Sequence, residues 1–231
     1  GGNGIERTPW NSPVAVQQVF KKACEQRMQW LPHIYSQLNT SAKYGPLMKP
    51  LAMVYPGDSN TYEIWDQYLF GNTLLVAPIF SADNDRQIYL PAGKWIDDRT
   101  QEVYTGGKWI KYTADSSSLP LFNKGGSLQL KGNITGKKSR YLDIIYYLAN
   151  GESNITYVDT SLSAQYLIHA NTDDLSTVIE IPALPLPGTI SIFCERAPHK
   201  ISVNGKRLSI KPENGFLHIK RSKQQQKVVM E

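Results

Sequence analysis

Acidic side chains are the residues of this sequence with the most chemical potential, because two carboxylates at a fixed separation can act together in a hydrolysis. Two adjacent pairs occur, Asp97-Asp98 and Asp173-Asp174. Neighbouring side chains on an extended segment point in opposite directions, so neither doublet predicts a catalytic pair. Both doublets lie where a turn is expected, and Asp side chains commonly bond the backbone of turns. We therefore predict structural roles for them.

The stretch IWDQYLFGNTLLVAPI, which starts at residue 64, places an acid among aromatic side chains. Asp66 follows Trp65 and precedes Tyr68, an arrangement that could hold a ligand. Gly71-Asn72 is a turn signal, and the apolar run after it is typical of a buried strand. Because Asp often stabilises such corners, we favour a structural role for Asp66 over a ligand contact.

Aromatic side chains form a second group of candidates. Trp95, Tyr104, Trp109 and Tyr112 lie on predicted strands around the Thr105-Gly106-Gly107 turn. Exposed aromatic rings can stack on sugars, since the ring face is apolar. The alternative is that all four pack in the core of a small sandwich. We name Trp95 and Trp109 as the candidate carbohydrate contacts.

Metal and cofactor sites are not indicated. The sequence contains no HxxxH pair, no CxxC pair, no GxSxG elbow, no Walker loop and no GxGxxG turn. A zinc site needs three or four converging ligands, which isolated residues do not predict. We therefore expect no metal and no cofactor. The histidines and cysteines are His33, His169, His199, His218, Cys24 and Cys194.

Composition narrows the class of protein. The chain has 231 residues, of which 41% are hydrophobic and 19% charged, as is typical of a globular protein. Its net charge of +5 is spread over small clusters, so we expect no nucleic-acid partner. The apolar runs are too short to span a bilayer, so we expect no membrane partner. Two cysteines leave a secreted, a periplasmic and a cytoplasmic location all open.

One long helix is predicted near the start of the chain. Ser12-Pro13 is a helix start, and apolar residues then recur at gaps of three and four as far as Leu38. Pro32 should kink this helix, and Gly45-Pro46 should end it. No second helix is predicted to cover its apolar face. We therefore expect the chain to be cut from a longer protein and to self-associate through that face.

The remainder predicts strands and turns. Runs such as TLLVAPIF, RQIYLP, RYLDIIYYLA, AQYLIHA and TISIFCE are rich in β-branched and aromatic residues. Dense short strands of this kind indicate antiparallel β-sandwiches. PLMKPLAMVYP is also predicted to be a strand. The polar, basic segment at 131–139 predicts a domain boundary.

Three ordered segments resemble glycoside hydrolase family 31, which contains α-glucosidases and α-xylosidases. They are YPGDSNTYEIWDQYLFGNTLLVAPIF, IYLPAGKWIDDRTQEVYTGGKWI and LPLFNKGGSLQL. RMQWLPHIYS is similar to the last helix of the family's (β/α)8 barrel. In SNITYVDTSLSAQYL, Thr160 stands where the family has a second acid.

The resemblance implies a mainly β fold in three parts. Residues 1–49 would be a helical remnant of the barrel, 50–133 a proximal β-sandwich and 134–231 a distal β-sandwich. The family's two catalytic aspartates belong to motifs that this sequence does not contain, so no catalytic residue is carried over.

The function implied is that of the C-terminal, non-catalytic part of a retaining α-glycosidase. Such an enzyme would remove terminal α-linked glucose or xylose from oligosaccharides, which would bind to the missing barrel. The alternatives are a carbohydrate-binding sandwich that uses exposed Trp residues and an adhesin-like interaction module. We expect the isolated chain to be inactive.

Overall fold

The computed structural model describes residues 8–80, 85–114, 118–135 and 139–231, with the side chain of Tyr44 left out. Part of the 131–139 boundary segment lies outside the described residues.

Two helices stand where one kinked helix is predicted. Helix α1 spans Val14–Gln29 and α2 spans Leu31–Asn39, with a break at Trp30. Pro32 lies in the first turn of α2, where its missing N–H removes a bond to the preceding turn, so the predicted kink is confirmed. Ser12 is not the N-cap, because α1 begins after Pro13 and has no side-chain cap.

Two single-turn helices follow. Helix α3, Ser41–Tyr44, ends at Gly45, whose φ of 81° suits glycine, so the predicted helix end is confirmed. Helix α4, Leu51–Val54, contradicts the prediction that PLMKPLAMVYP is a single strand. The strand stops at Pro50, which has no N–H to continue a ladder, and Leu51 turns into the core, where it is fully buried. Short 3₁₀ turns cover Pro9–Asn11 and Ser59–Thr61.

The first half of the chain forms a six-stranded sheet and a two-stranded ribbon. The six-stranded sheet has the order β1-β2-β3-β8-β5-β6, and β4 pairs with β7. All of these pairs are antiparallel. The strands are β1 Met48–Pro50, β2 Tyr68–Phe70, β3 Leu74–Val76, β4 Asp85–Leu90, β5 Lys94–Asp97, β6 Val103–Thr105, β7 Lys108–Thr113 and β8 Leu121–Lys124. Their inward residues, Trp95 and Phe122 among them, form one hydrophobic core.

The second half forms two further sheets. Their orders are β17-β14-β10-β9 and β11-β12-β13-β18-β15-β16. The strands are β9 Ser127–Asn133, β10 Tyr141–Tyr147, β11 Gly151–Val158, β12 Gln165–Thr172, β13 Thr177–Ile181, β14 Gly188–Phe193, β15 Ile201–Val203, β16 Lys206–Leu208, β17 Phe216–Arg221 and β18 Gln226–Met230. Both sheets contribute to a second hydrophobic core.

One pair departs from the antiparallel expectation. Strands β10 and β14 run parallel, with Ile144 opposite Ile190. Gly188 starts β14 so close to β10 that a Cβ atom would lie 2.0 Å from the Leu142 carbonyl oxygen, which explains why glycine stands there. The fold is otherwise mainly β, as predicted.

Helix α2 packs against both β9 and β11. The Ser36 Oγ accepts a hydrogen bond of 3.0 Å from the backbone N–H of Val158, at the end of edge strand β11. Strand β9, which precedes the predicted boundary at residue 133, hydrogen-bonds to β10, which follows it. The three-part division at residues 49 and 133 stays a prediction. No helix within the described ranges combines the length and apolar character that crossing a membrane requires.

Candidate functional site

Asp66 is bound at a structural corner. Arg86 at the start of β4 pairs with it, Nη2 lying 2.8 Å from Asp66 Oδ2. The same guanidinium donates to the carbonyl oxygens of Asp66 and Pro78. The Arg86 side chain is 9% exposed and that of Asp66 is 34% exposed. This geometry gives Asp66 a structural role at the corner.

The first acid of each doublet serves a turn, as predicted, whereas Asp98 and Asp174 accept hydrogen bonds from the distant side chains of Asn123 and Asn150. Asp97 is buried, and its Oδ1 accepts the backbone N–H groups of Arg99 and Thr100 at 2.7 and 3.0 Å. Its Oδ2 accepts the Tyr112 hydroxyl at 2.5 Å, and burial followed by this bond raises the pKa of Tyr112 to about 12. Asp173 accepts two backbone N–H groups in the same manner, which lowers the pKa of its carboxyl.

The structure buries Trp95, one of the two candidate carbohydrate contacts, as the alternative of core packing expects. Its side chain is fully buried beneath the six-stranded sheet, and Nε1 donates to the Pro91 carbonyl oxygen at 2.7 Å. Strand β5 pairs with both β6 and β8, which places Trp95 in the middle of the core. A ring enclosed in this way has no face to offer a sugar.

Trp109 remains accessible, with 48% of its surface exposed. It lies opposite Tyr89 on the β4–β7 ribbon, with ring centroids 5.2 Å apart. The Tyr89 hydroxyl donates to Asp58 Oδ2 at 2.5 Å, and Asn60 donates to Asp58 Oδ1. Carbohydrate contact through Trp109 stays a prediction.

A more exposed aromatic pair lies beside the Asp66 corner. Trp65 is 86% exposed and Phe80 is 73% exposed. Their rings are inclined by only 20°, with centroids 6.5 Å apart. Sequence reasoning named Trp65 as a neighbour of Asp66 but missed Phe80, which is fifteen positions away. Phe80 was instead included in the predicted strand TLLVAPIF, whereas the strand ends at Val76.

The pKa of His33 is shifted strongly from its ordinary value. It is fully buried on α2 between Trp30 and Phe70, and its Nδ1 accepts the Leu130 N–H at 3.4 Å. Burial, aided by the nearby Lys131 ammonium, lowers the pKa of His33 to about 3. Because Nδ1 accepts, the neutral ring carries its proton on Nε2, which has no hydrogen-bond partner within the described ranges. This histidine is structural.

A cavity of about 540 Å³ is lined by Lys94 of β5, by the turn between β12 and β13, and by the residues that follow β14. Its four carboxylates are already engaged: Asp173 by backbone N–H groups, Asp174 by Asn150, Glu195 by Lys94 and Glu231 by Lys200. Such groups stabilise structure and do not form a free acid–base pair. Within the described ranges, no three His, Cys, Asp or Glu side chains converge as a metal site would require.

The sequence is similar to a family model and to several known enzymes. Residues 44–128 match the model of the glycosyl hydrolase family 31 C-terminal domain. Alpha-glucosidase 2 of Bacillus thermoamyloliquefaciens is 35% identical over 178 residues, which cover 75% of this chain and 22% of that protein. The isomaltosyltransferase of Sporosarcina globispora is 31% identical over 232 residues, covering 89% of this chain and 21% of that protein.

Solved structures of related enzymes contain the same fold. The cycloalternan-forming enzyme of Listeria monocytogenes, solved with a pentasaccharide substrate, superposes over the whole chain with a TM-score of 0.85 and 25% identity, using 25% of that enzyme. A family 31 dextranase of Flavobacterium johnsoniae shares the fold at a TM-score of 0.85 and 21% identity, using 34% of its chain. The chain thus spans about a fifth of the curated relatives and carries the C-terminal β region. It belongs to glycosyl hydrolase family 31.

Proposed function

We propose that this chain is the non-catalytic C-terminal part of a retaining α-glycosidase that removes terminal α-linked glucose or xylose from oligosaccharides. The two carboxylates of a retaining mechanism would lie on the catalytic barrel and not on this chain. Residues 1–49 would close the barrel, and the proximal and distal sandwiches, 50–133 and 134–231, would support it.

The exposed apolar face of α1 is the observation that carries this proposal. None of the residues of α1 is buried. Several of them are large and apolar, and the exposed fractions of Val16, Val19 and Phe20 are 51%, 40% and 51%. Each large apolar side chain left in water forgoes about 1.5 to 3 kcal/mol of burial. A face of this kind is explained if a further domain packs on it.

A cavity of about 430 Å³ between α1 and the six-stranded sheet supports the same proposal. Its lining includes Val19 of α1 and Trp30, together with Tyr68, Phe70 and Leu121 of the sheet. The cavity is lined mostly by apolar and aromatic side chains, with charged groups such as Lys131 and Asp98 at its margin. A packed neighbour would bury this lining together with the α1 face.

The test is hydrolysis of aryl α-glucosides and aryl α-xylosides by the purified chain. We expect no turnover, because the carboxylates of Asp66, Asp97 and Asp173 are engaged in an ion pair and in turns. Activity that co-purifies with the chain through orthogonal columns, and is absent from a mock preparation, would overturn the proposal.

Carbohydrate binding by an exposed tryptophan is the second candidate function. The half-exposed Trp109 favours it, since one side of its ring leans on Tyr89 while much of its surface faces solvent. Calorimetric titration with an α-glucan oligosaccharide should then show binding that Trp109→Ala weakens. A flat titration of the unmodified chain would refute it.

A further inference from the structure

Trp65 and Phe80 form an exposed two-ring surface, which we call the aromatic platform. At a centroid separation of 6.5 Å, nearly parallel rings are offset and do not cover one another. Their exposures of 86% and 73% show that both keep most of their surface in water. Two large rings held side by side in solvent are unfavourable for folding alone and suit a ligand with an apolar face.

Arg86 holds the platform in place from beneath. Its guanidinium binds the carboxylate and carbonyl of Asp66, the residue after Trp65, and the carbonyl of Pro78, two residues before Phe80. One nearly buried side chain thus ties together the two segments that carry the rings. A surface fixed before binding loses little conformational entropy when a ligand arrives.

The size and chemistry of the platform favour a short glycan over a protein partner. Two aromatic side chains supply about 150 to 250 Å² each, well below the roughly 800 Å² per partner of a stable protein interface. The apolar C–H faces of a pyranose match a ring face in size and character. Asp66 is one-third exposed, and a carboxylate can accept further bonds from sugar hydroxyls while paired with Arg86.

We propose that the aromatic platform of Trp65 and Phe80 binds a short α-linked glucan, with Arg86 as its positioning residue. The choice of an α-linked glucan rests on the proposed function. The platform contributes binding only and requires no catalytic group.

The experiment is a calorimetric titration of the purified chain with isomaltotriose and maltotriose, repeated on Trp65→Ala and Phe80→Ala. The expected result is saturable binding that each substitution weakens about two- to tenfold, the effect of one lost stacking contact. Trp10→Ala, which removes an exposed tryptophan that belongs to no proposed binding surface, is the matched control and should leave the affinity unchanged. Because Trp65 and Phe80 are mostly exposed, both variants should unfold at the temperature of the unmodified chain.

Arg86→Lys tests the positioning role, since a lysine keeps the charge but cannot bridge three acceptors in one plane. It should weaken glucan binding while a Lys111→Met variant, which breaks the exposed Lys111–Asp85 pair, does not. No binding by the unmodified chain, or binding that survives Trp65→Ala, would overturn the proposal. So would a change of oligomeric state on Trp65→Ala without sugar, because the platform would then be an interface between copies. None of these results alters the hydrolysis test, so the two proposals fail separately.

Discussion

At the scale of single residues, buried polar groups explain more of this molecule than free reactive ones do. His33, Asp97 and Arg86 are each buried or nearly so, and each joins segments distant in sequence. His33 joins α2 to β9 through the Leu130 N–H, and Arg86 joins the Asp66 corner to the end of β3. Their hydrogen bonds and ion pairs therefore contribute to the stability of the fold.

Acid should destabilise the chain through His33. The folded state holds this ring neutral, with a pKa of about 3, whereas the unfolded chain protonates it below about 6.5. Its contribution is therefore fully present above pH 6.5 and is lost as the pH falls toward 3, by up to about 1.4 kcal/mol per pH unit.

Urea unfolding at several pH values measures this effect. His33→Phe should flatten the decline in the free energy of unfolding between pH 6.5 and pH 4. The exposed His218 offers a matched control, and His218→Phe should leave the decline unchanged. An equal slope in His33→Phe and the unmodified chain would contradict the assignment.

Breaking the Arg86 clamp should also destabilise the fold. Arg86→Met leaves the Asp66 carboxylate and the Pro78 carbonyl without their donor, at a cost of about 1 to 3 kcal/mol, discounted because Asp66 is one-third exposed. Lys111→Met removes an exposed ion pair on the same ribbon, and it should lower the urea midpoint by less than Arg86→Met does. Equal urea midpoints for the two variants would show that the clamp is not a stabilising feature.

At the scale of elements, α2 protects the edge of a sheet. Ser36 is fully buried and accepts the Val158 N–H, a donor that strand β11 would otherwise leave unpaired. Ser36→Ala should cost about 1 to 3 kcal/mol and speed hydrogen exchange of the Val158 amide. The exposed Ser163→Ala is the control. Unchanged exchange at Val158 in Ser36→Ala would show that the bond does not protect the edge.

Much of the element pattern was predictable from local signals. The strands of alternating or continuous apolar residues, the Pro32 kink and the Gly45 helix end all follow from side-chain period and backbone chemistry. Short strands such as β2 and β16 were not predicted, because three residues show no period. The helical turn after Pro50 and the parallel β10–β14 pair depend on packing between distant segments, which local sequence does not encode.

In the candidate site, too, some features follow from local sequence and others depend on contacts between distant segments. Turn chemistry predicted the roles of Asp97 and Asp173, and the corner signals predicted that of Asp66. For Trp95 the sequence left core packing and carbohydrate contact both open, because an aromatic residue on a strand does not reveal which face of the sheet is covered. The meeting of Trp65 and Phe80 depends on Arg86, a third segment, and no spacing rule connects the three.

At the scale of the whole molecule, the apolar face of α1 should drive self-association of the isolated chain. Concentration-dependent dimers in light scattering are expected, and Phe20→Glu should shift the chain toward monomer. Gln18→Glu adds the same charge at an exposed position of α1 and should have no such effect. A strictly monomeric chain at high concentration would show that this face does not associate by itself.

The central claim is that this chain supports a catalytic domain through α1. The most direct measurement adds the purified chain to a separately produced catalytic domain encoded with it and follows aryl α-glycoside hydrolysis. We predict no activity from this chain, weak or unstable activity from the catalytic domain, and restored activity when the two are mixed. Phe20→Glu should abolish the restoration and Gln18→Glu should not. Hydrolysis by this chain alone, or restoration that Phe20→Glu leaves intact, would contradict the account.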